Sequence, residues 1–271
     1  MTLESTILKA TTGALRFLSR AVVIFMSDEA KLWWETHGRS YQETCRIPVD
    51  VLYGTGSPNE EGLGLIGPVA GKRILEVGCG GAQASVAFAK QGATVTAVDI
   101  AASEIEYARA LAEEHGVDIE FHQRDMTDLS PVASGSQDVV FSAYAFNYVD
   151  DLASCFAEVF RVLKGGGLFV WSGAHPFGHS VDPETLRLSR SYFETGKTVV
   201  GAETGCAFAS VHRTVSDYLN LLIEAGFVVE RMLEPDSRRR YPYDPWYGLW
   251  GNTPERLRLF PATIIFKSRK H

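Results

Sequence analysis

An apolar run that ends in glycines and is answered by a carboxylate at the end of the next apolar run leaves little choice of fold. Here the first run is Ile74-Leu75-Glu76-Val77-Gly78-Cys79-Gly80-Gly81, and Asp99 follows 21 residues after Gly78, in Val95-Thr96-Ala97-Val98-Asp99-Ile100. A helical pattern lies between them. This is the layout of a nucleoside-binding β-α-β unit. Glycines let backbone N–H groups approach a ligand where a helix begins. A carboxylate at the tip of the second strand accepts from ribose hydroxyls. A dinucleotide fingerprint would need Gly or Ala where Gln83 stands. Glu76 would set a negative charge beside phosphates, so the site suits a cationic ligand better than a pyrophosphate.

The alternation continues. Strands are predicted at 73–79, 94–100, 119–125, 138–145, 168–173, 227–233 and 262–267, and helices at 83–91, 102–115, 150–163 and 215–225. The run Lys164-Gly165-Gly166-Gly167 reads as a basic last turn with a glycine stop. Alternating strands and helices predict an α/β fold, a doubly wound, mostly parallel seven-stranded sheet with helices on both faces. Ligands then bind beyond the carboxyl ends of the strands, at the switch point. The chain divides into an N-terminal amphipathic helix (1–26), a helical cap (27–70) and a main domain (71–271), with insertions at about 174–212 and 234–261.

Composition narrows the function. The 271 residues carry a formal net charge of -7, which argues against a nucleic-acid binder. Cys45, Cys79, Cys155 and Cys206 are widely spaced, so no zinc or disulfide framework is implied and a cytoplasmic home is expected. No apolar run approaches the ~20 residues that span a bilayer. Leu15, Leu18, Val22 and Phe25 form a helical stripe near the N-terminus. Three uses stay open for it: a contact with the body or a second subunit, an extension ahead of a start at Met26, or a membrane-surface helix.

Glu76-Val77-Gly78-Cys79-Gly80, with Ala82 where a further glycine is usual, resembles motif I of the class I S-adenosylmethionine (SAM)-dependent methyltransferases of the small-molecule, type 11-like kind. The likeness covers residues 71–173 and, more weakly, 213–230. It implies a Rossmann-like methyltransferase fold, SAM as cofactor and no metal. Glu76 would hold the amino end of SAM, and Gly78, Cys79 and Gly80 would line its methionine part. Asp99 would take the ribose, Ile100 would pack on the adenine, and Asp125 with the Met126 N–H would read the adenine edge. Ala143 would touch the methionine part from the fourth strand, and Tyr41 would reach the cofactor from the cap.

On the acceptor side the resemblance points to Tyr144 and Asn147 after the fourth strand. His175, at the end of the fifth, is the expected general base, with His212 as a second candidate. The N-P-P-Y or D-P-P-Y signature of base methylases is replaced by Ala145-Phe146-Asn147-Tyr148, so a small-molecule O, N or C acceptor is expected. Tyr241, Tyr243, Trp246, Tyr247 and Trp250 in the second insertion would wall that acceptor or form a homo-oligomer contact. Arg238-Arg239-Arg240 reads as a solvated basic turn or an anion attractor. The alternatives are an NAD(P)-dependent oxidoreductase and a non-catalytic SAM-binding module.

Overall fold

A computed structural model of the protein describes residues 26–200, 208–249 and 251–271. The expected N-terminal stripe, Cys206 and Trp250 lie outside the described residues. In chain order the elements are α1 (Met26–Cys45), α2 (Glu60–Leu63), β1 (Arg73–Val77), α3 (Gln83–Lys90), β2 (Thr94–Asp99), α4 (Ala102–Glu114), β3 (Ile119–Gln123) and β4 (Gln137–Ala143). There follow α5 (Leu152–Val162), β5 (Leu163–Ala174), β6 (Gly196–Val200), β7 (Phe208–His212), α6 (Val215–Glu224), β8 (Phe227–Leu233), α7 (Pro254–Leu257) and β9 (Thr263–Lys270).

Seven strands form one sheet in the order β3-β2-β1-β4-β5-β9-β8. The first five are parallel; β9 runs antiparallel to β5 and β8 antiparallel to β9. Successive residues of a strand face opposite sides, and the strands feed two cores accordingly. Ile74 and Phe141 join Phe88 and Tyr53 on one face, while Leu75 and Val77 join Phe156, Phe169 and Trp171 on the other. Trp171 stacks on Phe266 at 4.9 Å, which locks the antiparallel edge to the parallel half.

One expectation changes. The Lys164–Gly167 run is not a helix stop. Leu163 already leaves α5 with extended dihedrals, and β5 pairs Leu163 with Gln137 before resuming at Leu168 opposite Val139. The glycines form a bulge whose Gly166 takes a φ of 78°, so helix and strand meet without a connecting loop.

Both insertions carry structure. The first folds as a short 3₁₀ turn (Pro176–Ser180) and the β6–β7 hairpin, which reaches α1 through a Lys197–Glu29 ion pair. Helix α1 packs on α4 in turn. The α4 N-terminus lacks a side-chain cap of its own, and Glu35 of α1 supplies one by accepting from Ala102 N at 2.8 Å and Ser103 N at 3.1 Å. These bonds hold the Glu35 carboxyl below its usual range. Losing such a cap costs about 1 kcal/mol, so Glu35→Ala should lower urea-unfolding stability by about that much. The wild-type advantage should be full above about pH 4.3, the unfolded value, and fade as the pH falls through the lower folded value. An unchanged denaturation midpoint would show that α1 is not fastened there.

Candidate functional site

The site forms at the switch point, where β1 is flanked by β2 on one side and β4 on the other. After β1 the chain turns through Gly78 (φ 68°) and Gly80 (φ 50°) into α3. Gly78 N and Cys79 N donate to Val98 O at 2.8 and 3.0 Å, which ties the turn to β2. A β-carbon at Gly78 would lie 2.3 Å from Ala145 Cβ, so the two loops approach as closely as backbone allows. Ala82 is buried with φ 59°, a left-handed conformation. That geometry explains why the related motif favours glycine there.

Three carboxyls converge on this turn. Asp99 accepts from Gly80 N at 2.8 Å through Oδ2 and from Ala101 N at 2.9 Å through Oδ1, leaving each oxygen capacity for a further donor. Glu76, 4% exposed, accepts through Oε2 from both the backbone N–H and the hydroxyl of Ser85, at the start of α3. Glu104, 1% exposed, accepts from Gln42 Nε2 at 2.9 Å through Oε2, and its Oε1 is buried with no partner. Gln42 in turn accepts from Gln83 at 2.7 Å, so α1, α3 and α4 share one polar chain beside Gly80 and Gly81.

Among the described residues, no lysine, arginine or histidine pairs with any of the three. Burial therefore pushes Glu76 up to about 8 and Glu104 up to about 7, and Asp99 is also raised, chiefly by burial. The Asp99 charge adds to the rise at both glutamates. A buried anion without a counter-ion is costly, and a cationic ligand relieves that cost. SAM, with its ammonium and sulfonium, fits this donor set. A dinucleotide pyrophosphate does not.

The remaining expected cofactor residues gather nearby. Ile100 follows Asp99, and its carbonyl accepts from Gln123 at 3.2 Å. Asp125 uses Oδ1 alone, on Thr127 N and Oγ1, and keeps Oδ2 available. Met126 reaches the same gap as Gly78: its Cε lies 3.3 Å from where a Gly78 β-carbon would stand. Ala143 ends β4 beside them. Tyr41 sits on α1, edge-on to Trp34 at 5.2 Å, and its hydroxyl accepts from Trp246 Nε1 at 2.8 Å. It thus fastens the cap to the second insertion.

The acceptor side differs from expectation. His175 is committed at both nitrogens. Nδ1 accepts from Phe177 N at 3.2 Å, which places the proton on Nε2, where Glu234 accepts it at 2.7 Å. It caps the 3₁₀ turn and has no lone pair for a substrate proton, so the expected base is a structural residue. Asn147 is also engaged at both ends, with Tyr218 Oη and Ala174 N. His212 donates from Nε2 to Tyr192 O at 2.8 Å. It lines a cleft of about 440 Å³ between the β6–β7 hairpin and α6 that includes none of the expected SAM residues. In the basic turn Arg238 pairs with Asp236 and Arg240 lies over Tyr247.

Tyr144 follows directly on the carboxyl end of β4. Its φ of 59° is rare for an aromatic residue, and strain of this kind amounts to about 1–3 kcal/mol. The surroundings hold it there. Its hydroxyl lies 2.7 Å from Thr263 Oγ1, and its ring is nearly parallel to Trp246 at 6.3 Å. A β-carbon on Gly54 would lie 2.1 Å from that ring, so only glycine admits it. Asp244, which sequence reading passed over, pins the insertion by accepting from Gly56 N at 2.9 Å and Trp246 N at 3.0 Å. Tyr243 Oη also accepts from Asn59 N at 3.0 Å, a second bond between the insertion and the cap.

A doubly wound sheet whose switch point gathers uncompensated acids around a glycine turn defines a class I SAM-binding domain. Comparison with known proteins agrees. Residues 75–171 match the model of a family described as a methyltransferase domain. The ubiquinone biosynthesis O-methyltransferase of Ruegeria pomeroyi is 28% identical over 249 residues, covering 88% of this chain and 91% of that one. The S-adenosylmethionine-dependent methyltransferase structure from Mesorhizobium loti is 26% identical with a TM-score of 0.61, over 77% of this chain and 95% of that one. Geranyl diphosphate C-methyltransferase of Streptomyces coelicolor, solved with Mg2+, geranyl diphosphate and S-adenosyl-L-homocysteine, shares the fold at 17% identity and a TM-score of 0.58, over 77% of this chain and 78% of that one. The chain is a SAM-dependent methyltransferase that acts on small molecules.

The raised carboxyls make a thermodynamic prediction. A cation arriving beside Glu76 and Glu104 lowers both values, so SAM binding near pH 7 should release protons. Calorimetry in buffers of different ionisation enthalpy should show that release, and affinity should rise between pH 6 and 8. A proton count of zero would mean that the carboxyls do not face the cofactor.

Proposed function

We propose that the acceptor is a phenolic hydroxyl on an aromatic ring and that the reaction is an O-methylation. The observation that carries this reading is the aromatic enclosure at the carboxyl end of β4: Tyr144 against Trp246, Trp246 bonded to Tyr41, and Trp34 edge-on to both Tyr41 and Tyr148. Flat apolar walls suit a flat ring. The curated relative's name, an O-methyltransferase of ubiquinone biosynthesis, supports the same atom.

SAM, when bound, supplies a methyl group on a cationic sulfur, so the difficult chemistry belongs to the cofactor. The protein's residues bind and align. On this reading Asp99 takes the ribose, Asp125 and the Met126 N–H take the adenine, and Glu76, Gly78, Cys79, Gly80 and Ala143 surround the methionine part. The enclosure excludes water and presents the ring opposite the departing sulfur, where alignment supplies effective molarities of about 10^5–10^8 M. With His175 committed elsewhere, no strong base is required. A phenol ionises near pH 10, far more readily than an aliphatic alcohol. We also assign the chain to the cytoplasm, an assignment supported by the free buried cysteines Cys45, Cys79 and Cys155. Among the described residues, no helix is long and apolar enough to cross a membrane.

Incubation with SAM and catechol-type acceptors should yield S-adenosylhomocysteine and a ring methyl ether in equal amounts. Trp246→Ala should raise the acceptor KM about tenfold or more while SAM affinity stays within about threefold, because one wall ring contributes on the order of 1.5 kcal/mol. Tight SAM binding with no turnover of any hydroxylated ring would remove the phenolic acceptor.

A further inference from the structure

The cofactor side of the crevice is acidic; the far side is not. Arg256 stands on α7, with its guanidinium 5.2 Å over the Phe260 ring. Nη1 reaches Gly251 O at 3.3 Å and Nη2 reaches Gly178 O at 3.4 Å, both longer than ordinary N–H···O bonds, while Nε is buried with no partner. Among the described residues, no carboxylate lies within ion-pair distance of it. Arg161 and Arg269, by contrast, are forked on Glu158 and Glu230, while Arg213, also without a carboxylate, makes two short bonds of 2.6 and 2.7 Å to the Val149 and Asp150 carbonyls. Burial lowers the Arg256 value, which marks a charge taken from water without compensation.

Its surroundings identify it as part of the acceptor side. Arg256 reaches the Gly178 carbonyl beyond the carboxyl end of β5, the strand whose Ser172 O accepts from Tyr144 N at 2.8 Å. Gly178, just past β5, lacks the β-carbon that would lie 2.7 Å from Nη2. The other charged and titratable groups around it leave it without a partner. His179 is held down to about 4, first by burial and then by His212, Arg190 and Arg256, so it is neutral at pH 7. Asp244 is occupied by Gly56, Thr55 and Trp246.

We propose that Arg256 binds a carboxylate carried by the acceptor, so that the substrate class is a hydroxylated aromatic acid. This rests on the methyltransferase reading above. The guanidinium fork presents paired donors that match a carboxylate in two parallel bonds. A bound carboxylate would replace two long carbonyl contacts with charge-assisted bonds and neutralise a partly desolvated cation.

The test uses full-length protein loaded with S-adenosylhomocysteine and follows binding by calorimetry. The probes are 3,4-dihydroxybenzoate, catechol and phenyl phosphate. Wild type should bind 3,4-dihydroxybenzoate at least about tenfold more tightly than catechol, the effect of a charge-assisted bond. Arg256→Met should erase that preference, and Arg256→Lys should retain part of it. S-adenosylhomocysteine affinity should stay within about twofold in both variants. Arg256→Met should leave the melting temperature within a few degrees, because the bonds it gives up are long and the cation it removes is partly buried without a counter-ion. Equal binding of the acid and catechol in wild type, binding of neither, or a preference that survives in Arg256→Met would overturn the proposal. Tighter binding of phenyl phosphate would replace the carboxylate with a phosphate. A fall of several degrees in melting temperature would reassign Arg256 to anchoring the Gly178 and Gly251 carbonyls. If wild type fails to bind S-adenosylhomocysteine, the methyltransferase reading falls first and the proposal falls with it.

Discussion

Three carboxyls gathered around one glycine turn, two of them fully buried and none paired with a basic side chain among the described residues, set the terms for the rest of this molecule. Glu76, Asp99 and Glu104 come from β1, the end of β2 and α4, and they are held by backbone N–H groups, a serine and an amide rather than by ion pairs. Burial, with the Asp99 charge adding to it, disfavours their ionised forms, which is why protons are retained on Glu76 and Glu104 near neutral pH. The fold tolerates that arrangement because the turn is clamped to β2 on one side and packed against Ala145 on the other. A cation-binding site has thereby been built in advance of its cation.

The cap and the second insertion convert that exposed switch point into an enclosed one. Helix α1 covers α4 through Glu35 and reaches the insertion through Tyr41 and Trp246. Asp244, Thr263 and Gly54 then force Tyr144 into a left-handed backbone and a fixed ring position. Strain is stored at the carboxyl end of β4, where the acceptor is proposed to bind, and packing on three sides maintains it. Acids on one side and the unpaired Arg256 on the other give the crevice a polarity that follows the charge of its proposed ligands.

Much of this was legible because the strands of a parallel sheet are apolar along their whole length. β1, β2 and β4 stand out as runs, and their carboxyl ends locate Gly78, Asp99 and Ala143 without any tertiary information. The glycine run at 165–167 misleads because glycines mark both helix stops and bulges, and strand pairing decides between them. His175 misleads for a related reason. Its position at a strand end is visible in sequence, but its partner Glu234 lies 59 residues away on β8's far side. Glu104 carried a usable signal. It stands in register with Ala108 and Ala112 on the buried face of α4, where an acid is out of place. Arg256 carried none, since its isolation depends on which carboxylates the fold brings near it.

The central claim is that the buried acids await a cationic cofactor, and their titration tests it most directly. Carbon-detected NMR of side-chain carboxyls should place Glu76 near 8 and Glu104 near 7 in the cofactor-free protein. Both should fall toward the ordinary carboxylate range of about 4–5 when SAM is added. Ordinary values without the cofactor, or raised values that SAM leaves unmoved, would contradict the account.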